Sequence, residues 1–171
     1  DYAVRPLEQR LPRIFDIDVS DVALLDSMCR SFMKPIFAVA KRYDDVIPIL
    51  NLMRESGMKT AIVSNTPWGS PANLWHEEVA RHCLSQLVDE VVTCRDAGYR
   101  KPAPQIFKLV LKRLGSQPEG CVFVGDDPRW DLVGPQGVGI RSVLIDRSGE
   151  FESSECQTIK SLVELPALLL D

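Results

Sequence analysis

From Met58 onward, short β-rich apolar runs alternate with helical stretches. The run Met58 to Ser64 (MKTAIVS) follows Gly57 and reads as a buried strand. Leu74 to Leu84 reads as a helix, and Glu90 to Thr93 (EVVT) as a short strand. Pro104 to Leu114 (PQIFKLVLKRL) puts Ile106, Leu109, Val110 and Leu114 on one helical face, and Gly115 ends that helix. Cys121 to Val124 is another buried strand, stopped by Gly125. A helical stretch follows from Asp131, then the strand Arg141 to Ile145 (RSVLI), then a last helix starting near Ile159.

Before Met58 the pattern changes. Val22 to Ala40 and Asp45 to Glu55 are amphipathic with helical spacing, Pro35 is expected to interrupt the first, and no convincing strand precedes them. Strands that alternate with helices imply a parallel sheet covered on both faces. The fold class is therefore α/β, a Rossmann-like parallel sheet with helices on both faces plus a partial helical lobe. The junction falls at Arg42 to Asp45, so that residues 1–42 form the helical lobe and residues 43–171 the α/β core. In such sheets ligands sit at the carboxyl ends of the strands, so the polar residues that end each run are the ones to weigh.

The 171 residues suit one domain with a small accessory lobe, and 45% apolar with 26% charged residues is an ordinary globular balance. A net charge of −4 and the lack of a basic stripe argue against nucleic acid or a membrane surface as partner. No run approaches the roughly 18 apolar residues of a membrane span, and no signal peptide is visible. The five cysteines (Cys29, Cys83, Cys94, Cys121 and Cys156) form no C-x-x-C pair and read as small buried hydrophobes of a reducing, cytoplasmic compartment. His76 and His82 have no plausible ligand set around them, so zinc is not expected. The chain opens on Asp1 rather than Met, and the expectation is that further residues precede it.

Three segments carry chemistry. The first strand ends in Val63-Ser64-Asn65-Thr66, where a hydroxyl can donate to a phosphoryl oxygen and the following amides can cradle an anion; a helix cap or turn is the competing reading. In Gly98-Tyr99-Arg100-Lys101-Pro102-Ala103-Pro104, Pro104 suits the first turn of the next helix, and Pro102 biases Lys101 to an extended conformation. Lys101 can then neutralise a carboxylate or a transferring phosphoryl group, or simply lie solvated at the surface. The most specific segment is Val124-Gly125-Asp126-Asp127-Pro128-Arg129-Trp130-Asp131, with three carboxylates just beyond a buried strand. Such crowding calls for a cation, and hard oxygen ligands suit Mg²⁺; helix capping by Asp127 or Asp131 is the competing role.

In this order, the Ser-Asn strand end, Lys-Pro-x-Pro-x-x-Phe and Gly-Asp-x-x-x-x-Asp resemble the haloacid dehalogenase-like superfamily, over roughly Tyr43 to the C-terminus. The Gly-Asp pair looks more like the phosphatase branches than the dehalogenases. The resemblance implies that Ser64 holds a phosphoryl oxygen with Asn65 beside it, and that Lys101 bridges a nucleophilic aspartate and the phosphoryl group. Asp126 would ligate Mg²⁺ directly, and Asp131 would be a ligand or a partner of one. The implied function is hydrolysis of a small phosphorylated substrate through an aspartyl-phosphate intermediate. The helical lobe would be a partial cap.

The family's first motif, Asp-x-Asp-x-Thr after an apolar strand, has only Asp16-Ile17-Asp18-Val19-Ser20 as a candidate here. The preceding Arg10-Leu11-Pro12-Arg13-Ile14-Phe15 is a poor central strand, and Asp18 to Asp21 reads better as the cap of the next helix. The expectation is that the nucleophile lies upstream of Asp1 and that this chain alone is inactive. A missing N-terminal segment or a second chain would then complete the sheet between the strands ending at Ser64 and near Gly125. A phospho-receiver domain is disfavoured, because its acidic pair comes first and its lysine late. Two competing functions stay open: a non-catalytic or truncated domain that keeps phosphate or partner binding, and a haloacid dehalogenase. Trp68 and Trp130 flank these segments and suit either substrate contact or packing.

Overall fold

The computed structural model describes residues 1–18, 20–150 and 156–169. Helices α1 (Leu7–Phe15), α2 (Val22–Val39) and α3 (Val46–Glu55) come first, then strand β1 (Ala61–Ser64) and helix α4 (Ala72–Arg81). Strand β2 (Glu90–Thr93), helices α5 (Cys94–Ala97) and α6 (Pro104–Leu114) and strand β3 (Val122–Gly125) follow. The chain continues with α7 (Pro128–Asp131), α8 (Val133–Gln136), strands β4 (Arg141–Ile145) and β5 (Gln157–Ile159), and α9 (Pro166–Leu169). All strand pairs are parallel: β1 with β2, and β3 with β4, which in turn pairs with β5. The fold is mixed α/β of Rossmann-like type, as the alternation predicts.

Helix α6 shows how the pattern builds the core. Pro104 occupies its first turn, Gly115 takes the left-handed cap conformation, and the Gly115 amide donates to the Leu111 carbonyl. Its buried face is Ile106, Phe107, Val110 and Leu111, while the predicted Leu109 and Leu114 lie only at its margin. The helix is rotated towards Phe107 because that ring meets Phe123 of β3 edge-on, with centroids 5.4 Å apart. Ala61 and Val63 of β1 pack on the same cluster, so α6 spans both groups of strands. Burying a side chain such as Phe107 contributes about 1.5–3 kcal/mol. Strand periodicity sends Val122 and Val124 to the opposite face, against Ile49 and Met53 of α3 and Ile159 of β5.

Asp45, at the start of α3, ties that helix to the far end of the chain. Both carboxylate oxygens accept from the Arg147 guanidinium, at 2.8 and 2.9 Å, and one also accepts from the Ser161 hydroxyl (2.8 Å) and the Leu162 amide (3.0 Å). The guanidinium hydrogen bonds hold the Asp45 carboxyl down at a pKa of about 2.

A second cluster gathers Leu7 and Leu11 of α1, Cys29 and Met33 of α2 and Leu74 of α4. Glu8 of α1 also pairs with Arg95 of α5, and Arg95 donates to the Gly69 carbonyl at 3.0 Å.

Residues 10–15, a poor strand by sequence, are not a strand: residues 7–15 form a helix although Pro12 and two arginines lie within it, because Leu7 and Leu11 share a buried face. Three expectations from the sequence change. Helix α2 runs unbroken through Pro35, held by the burial of Cys29 and Met33. Residues 157–159 form β5, where the sequence predicts the start of a last helix, because Ile145 and Leu144 offer a parallel partner. The strand after Gly57 starts at Ala61, not Met58.

Among the described residues each sheet has two open edges, along β1 and β2 in one and along β3 and β5 in the other. Among the described residues β1 has β2 as its one neighbour and β3 has β4, and the two groups are separate. Residues 10–15 fill neither edge, being helical. All four residues of β1 and of β3 are half-buried, whereas Val92 of β2 and Val143 and Leu144 of β4 are fully buried.

Candidate active site

The loops that follow β1 and β3 and the segment leading into α6 are joined by a chain of hydrogen bonds. The Asn65 side chain brackets the backbone of Lys101: its Oδ1 accepts the Lys101 amide at 2.7 Å and its Nδ2 donates to the Lys101 carbonyl at 3.2 Å. The Lys101–Pro102 peptide is cis. With its backbone held this way, Lys101 sends its ammonium 2.7 Å from Asp131 Oδ1. The side chains are only 12% and 4% exposed, so this is a buried ion pair. The Lys101 ammonium also lies 5.3 Å from the centroid of the Phe123 ring.

Asp131 closes the acidic loop. Its Oδ2 accepts from the amides of Asp126 and Asp127, each at 3.2 Å, while Oδ1 takes the lysine. The loop can be this tight because residue 125 is glycine: a Cβ there would lie 2.3 Å from the Asp131 Cβ. Asp127 caps α7 by accepting the Arg129 amide at 3.0 Å, and the Arg129 guanidinium beside it lowers its carboxyl pKa. Asp126 is exposed, and among the described residues its carboxylate makes no hydrogen bond or ion pair. The Ser64 hydroxyl donates to the Asn65 carbonyl at 3.3 Å, a weak bond that leaves it available.

The structure thus links Asn65, Lys101 and Asp131 directly, brings in Asp126 through its amide, and sets Ser64 one residue from Asn65. Asp16 ends helix α1 in a left-handed conformation (φ 51°), and Asp18 lies fully exposed beyond it, so neither follows a strand; Val19, in the same segment, lies outside the described residues. Asp21, not Asp18, caps α2, accepting the Leu24 amide at 2.9 Å. Phe32 of the helical lobe packs edge-on against Trp68 at 5.2 Å, and Trp130 lies between the Arg100 and Arg129 guanidinium groups at 5.3 and 5.5 Å. The bracket on Lys101 is not foreseen from the sequence; an amide side chain following a β-rich run, with a Lys-Pro pair downstream, is the available signal.

A Mg²⁺ site is only partly furnished by these residues. Asp126 offers one free carboxylate, the oxygens of Asp131 are both engaged, and no group of three His, Cys, Asp or Glu side chains converges among the described residues. Cys29, Cys83, Cys94 and Cys121 are free thiols. No helix among the described residues is long and apolar enough to cross a membrane.

Residues 21–139 match the profile of the haloacid dehalogenase-like hydrolases. The chain is 37% identical over 119 residues to a glyceraldehyde 3-phosphate phosphatase of Methanopyrus kandleri, covering 70% of this chain and 49% of that protein. It is 34% identical over 111 residues to a ribulose-1,5-bisphosphate 5-phosphatase of Halopiger xanaduensis, covering 65% of this chain and 45% of that protein. The chain therefore spans about half the length of these relatives. Among solved structures, a HAD phosphatase from Thermococcus onnurineus superposes with a TM-score of 0.75 at 28% identity, over 94% of this chain and 69% of that one.

Proposed function

The chain belongs to the haloacid dehalogenase-like hydrolase family, and from that premise we propose that it forms part of a Mg²⁺-dependent phosphomonoester hydrolase acting on a small phosphorylated substrate. The observation that carries this reading is the buried Lys101–Asp131 pair, joined through Asp131 to the amide of Asp126 and through Asn65 to the strand end that bears Ser64. A single ammonium there would offset charge gathering on a phosphoryl group. Ser64 would donate to one of the phosphoryl oxygens, Asn65 would hold Lys101 in place, and Asp131 would fix both the lysine and the acidic loop. Asp126 would hold Mg²⁺ together with groups from outside the described residues. When bound, the ion would neutralise phosphoryl charge.

The nucleophile, in this reading, is an aspartate on a strand from outside these 171 residues that enters between β1 and β3. Its support is that β1 and β3 each keep an open edge while α6 packs on residues of both groups of strands. That aspartate would form an aspartyl phosphate, which water then hydrolyses. Residues 1–42 would be the cap part and residues 43–171 the core, and the free thiols suit a cytoplasmic location. The chain by itself would bind without turning over, since neither Asp16 nor Asp18 follows a strand.

The experiment is p-nitrophenyl phosphate hydrolysis by full-length protein and by this chain, with Lys101→Met alongside and halide release from a 2-haloacid as the competing activity. The expected outcome is turnover by the full-length protein only, lowered about 10²-fold or more by the substitution. Turnover by this chain, abolished by Asp16→Asn, would overturn the nucleophile assignment, and halide release without phosphate release would overturn the phosphatase reading.

A further inference from the structure

A cavity of about 260 Å³ opens next to the Lys101 site. Its walls include Thr66 and Arg100, the chain neighbours of Asn65 and Lys101. Three arginines contribute to it: Arg5 and Arg10 from the N-terminal segment and α1, and Arg100 from the loop before α6. Trp68, in a left-handed conformation (φ 52°), lines it as well.

The charge in this cavity is unbalanced. Among the described residues, Arg5, Arg10 and Arg100 have no carboxylate within ion-pair distance, a state they share with Arg13, Arg42, Arg54 and Arg141, but they are the arginines that line this cavity. Arg10 makes a long hydrogen bond to the Trp68 carbonyl (3.4 Å), and Arg100 stacks on Trp130. The one acidic lining residue, Asp1, turns its carboxylate to the Ala3 amide at 3.0 Å. In a chain of net charge −4, this is positive charge gathered at one concave place. The cavity is smaller than the about 300–1,000 Å³ of a whole small-molecule site, so it suits one group of a ligand. Guanidinium groups suit carboxylates and phosphates best, through paired N–H donors.

We propose that this cavity receives a second anionic group of the substrate, so that the enzyme selects small phosphomonoesters that also carry a phosphate or carboxylate over matched neutral ones. The inference rests on the phosphomonoesterase reading above, with the ester phosphate at Lys101 and Ser64. Arg5, Arg10 and Arg100 are exposed, so glutamine at any of them should leave the fold intact.

The test compares kcat/KM of the full-length protein for propane-1,3-diol bisphosphate, 3-phosphooxypropanoate and propyl phosphate. The wild type should prefer one or both of the first two by at least about tenfold, and the two arms tell a second phosphate from a carboxylate. Arg5→Gln, Arg10→Gln and Arg100→Gln should each cut that preference by about three- to tenfold, chiefly through KM, and Arg10→Lys should restore part of it. Equal rates for all three esters, or a preference unmoved in every variant, would overturn the proposal. If none of the esters is hydrolysed, the phosphatase reading fails by itself. The cavity is then tested by titrating tryptophan fluorescence with propane-1,3-diol bisphosphate. Quenching that disappears in Trp68→Phe and weakens in the arginine variants supports the site; no quenching, or equal affinity in wild type and variants, refutes it.

Discussion

Replacing Asp131 by asparagine changes one atom and breaks the arrangement of the acidic loop. The carboxylate serves two clients at once, the Lys101 ammonium through Oδ1 and the amides of Asp126 and Asp127 through Oδ2. An asparagine has one acceptor oxygen. It must either turn its NH₂ towards the ammonium or abandon the amides. In either pose a donor faces a donor in a place where the lysine is 12% exposed, and the ammonium has lost its counter-charge. Removing one partner of a buried ion pair costs about 3–5 kcal/mol, most of it the charge left behind. For a protein of this size that is a fall in Tm of about 6–20 °C, at about 2–4 °C per kcal/mol. Lys101→Met removes the charge and leaves Asp131 its two amides, so it should cost less. The double variant should recover most of what Asp131→Asn loses. Urea unfolding of the four proteins closes the cycle, and the expected coupling is about 2 kcal/mol or more. Additive single effects within about 0.5 kcal/mol would refute the argument that the two groups are held as one buried pair.

Gly125→Ala would push a methyl into the Asp131 side chain, Cβ included, so it should destabilise the protein by about 1–3 kcal/mol, and the loss should shrink when Asp131 is also replaced by glycine; equal losses in both backgrounds would refute the contact. Asp45 has a folded pKa of about 2 against 3.8 when unperturbed, so its contribution is present above pH 3.8 and is lost as pH falls through about 2. The shift corresponds to about 2 kcal/mol, and in acid titrations of stability the wild type and Asp45→Asn should converge near pH 2 and separate above pH 4.

The alternation after Gly57 made the α/β class legible, because a β-branched run bounded by glycine and a helix bracketed by Pro104 and Gly115 are local signals. The ordering of Ser64, Lys101 and Asp126 was legible for the same reason: each follows or adjoins such a run. What was not legible depends on distant partners. Strand β5 is three residues long and exists because Ile145 lies beside Ile159. Helix α1 carries Pro12 and polar residues, and its signal is the Leu7–Leu11 pair, which has meaning only once α2 and α4 are there to cover it. The Asn65 bracket on Lys101 joins residues separated by 36 positions, so its signal is split between a strand end and a distant Lys-Pro pair and neither part announces it alone.

The tie at Asp45 also bears on the order in which the chain acquires its structure. The groups that satisfy this carboxylate lie 102, 116 and 117 residues downstream, so during synthesis α3 is made long before its partners exist. At translation rates of about 5–20 residues per second, the interval is on the order of 5–25 seconds. Throughout that time Ile49 and Met53 lack the β4 and β5 surface that buries them in the finished protein. Helix α3 is therefore not consolidated as it emerges, unlike α1 and α2, whose partner α4 follows much sooner. It waits for β4 and β5 with its apolar face uncovered in the meantime.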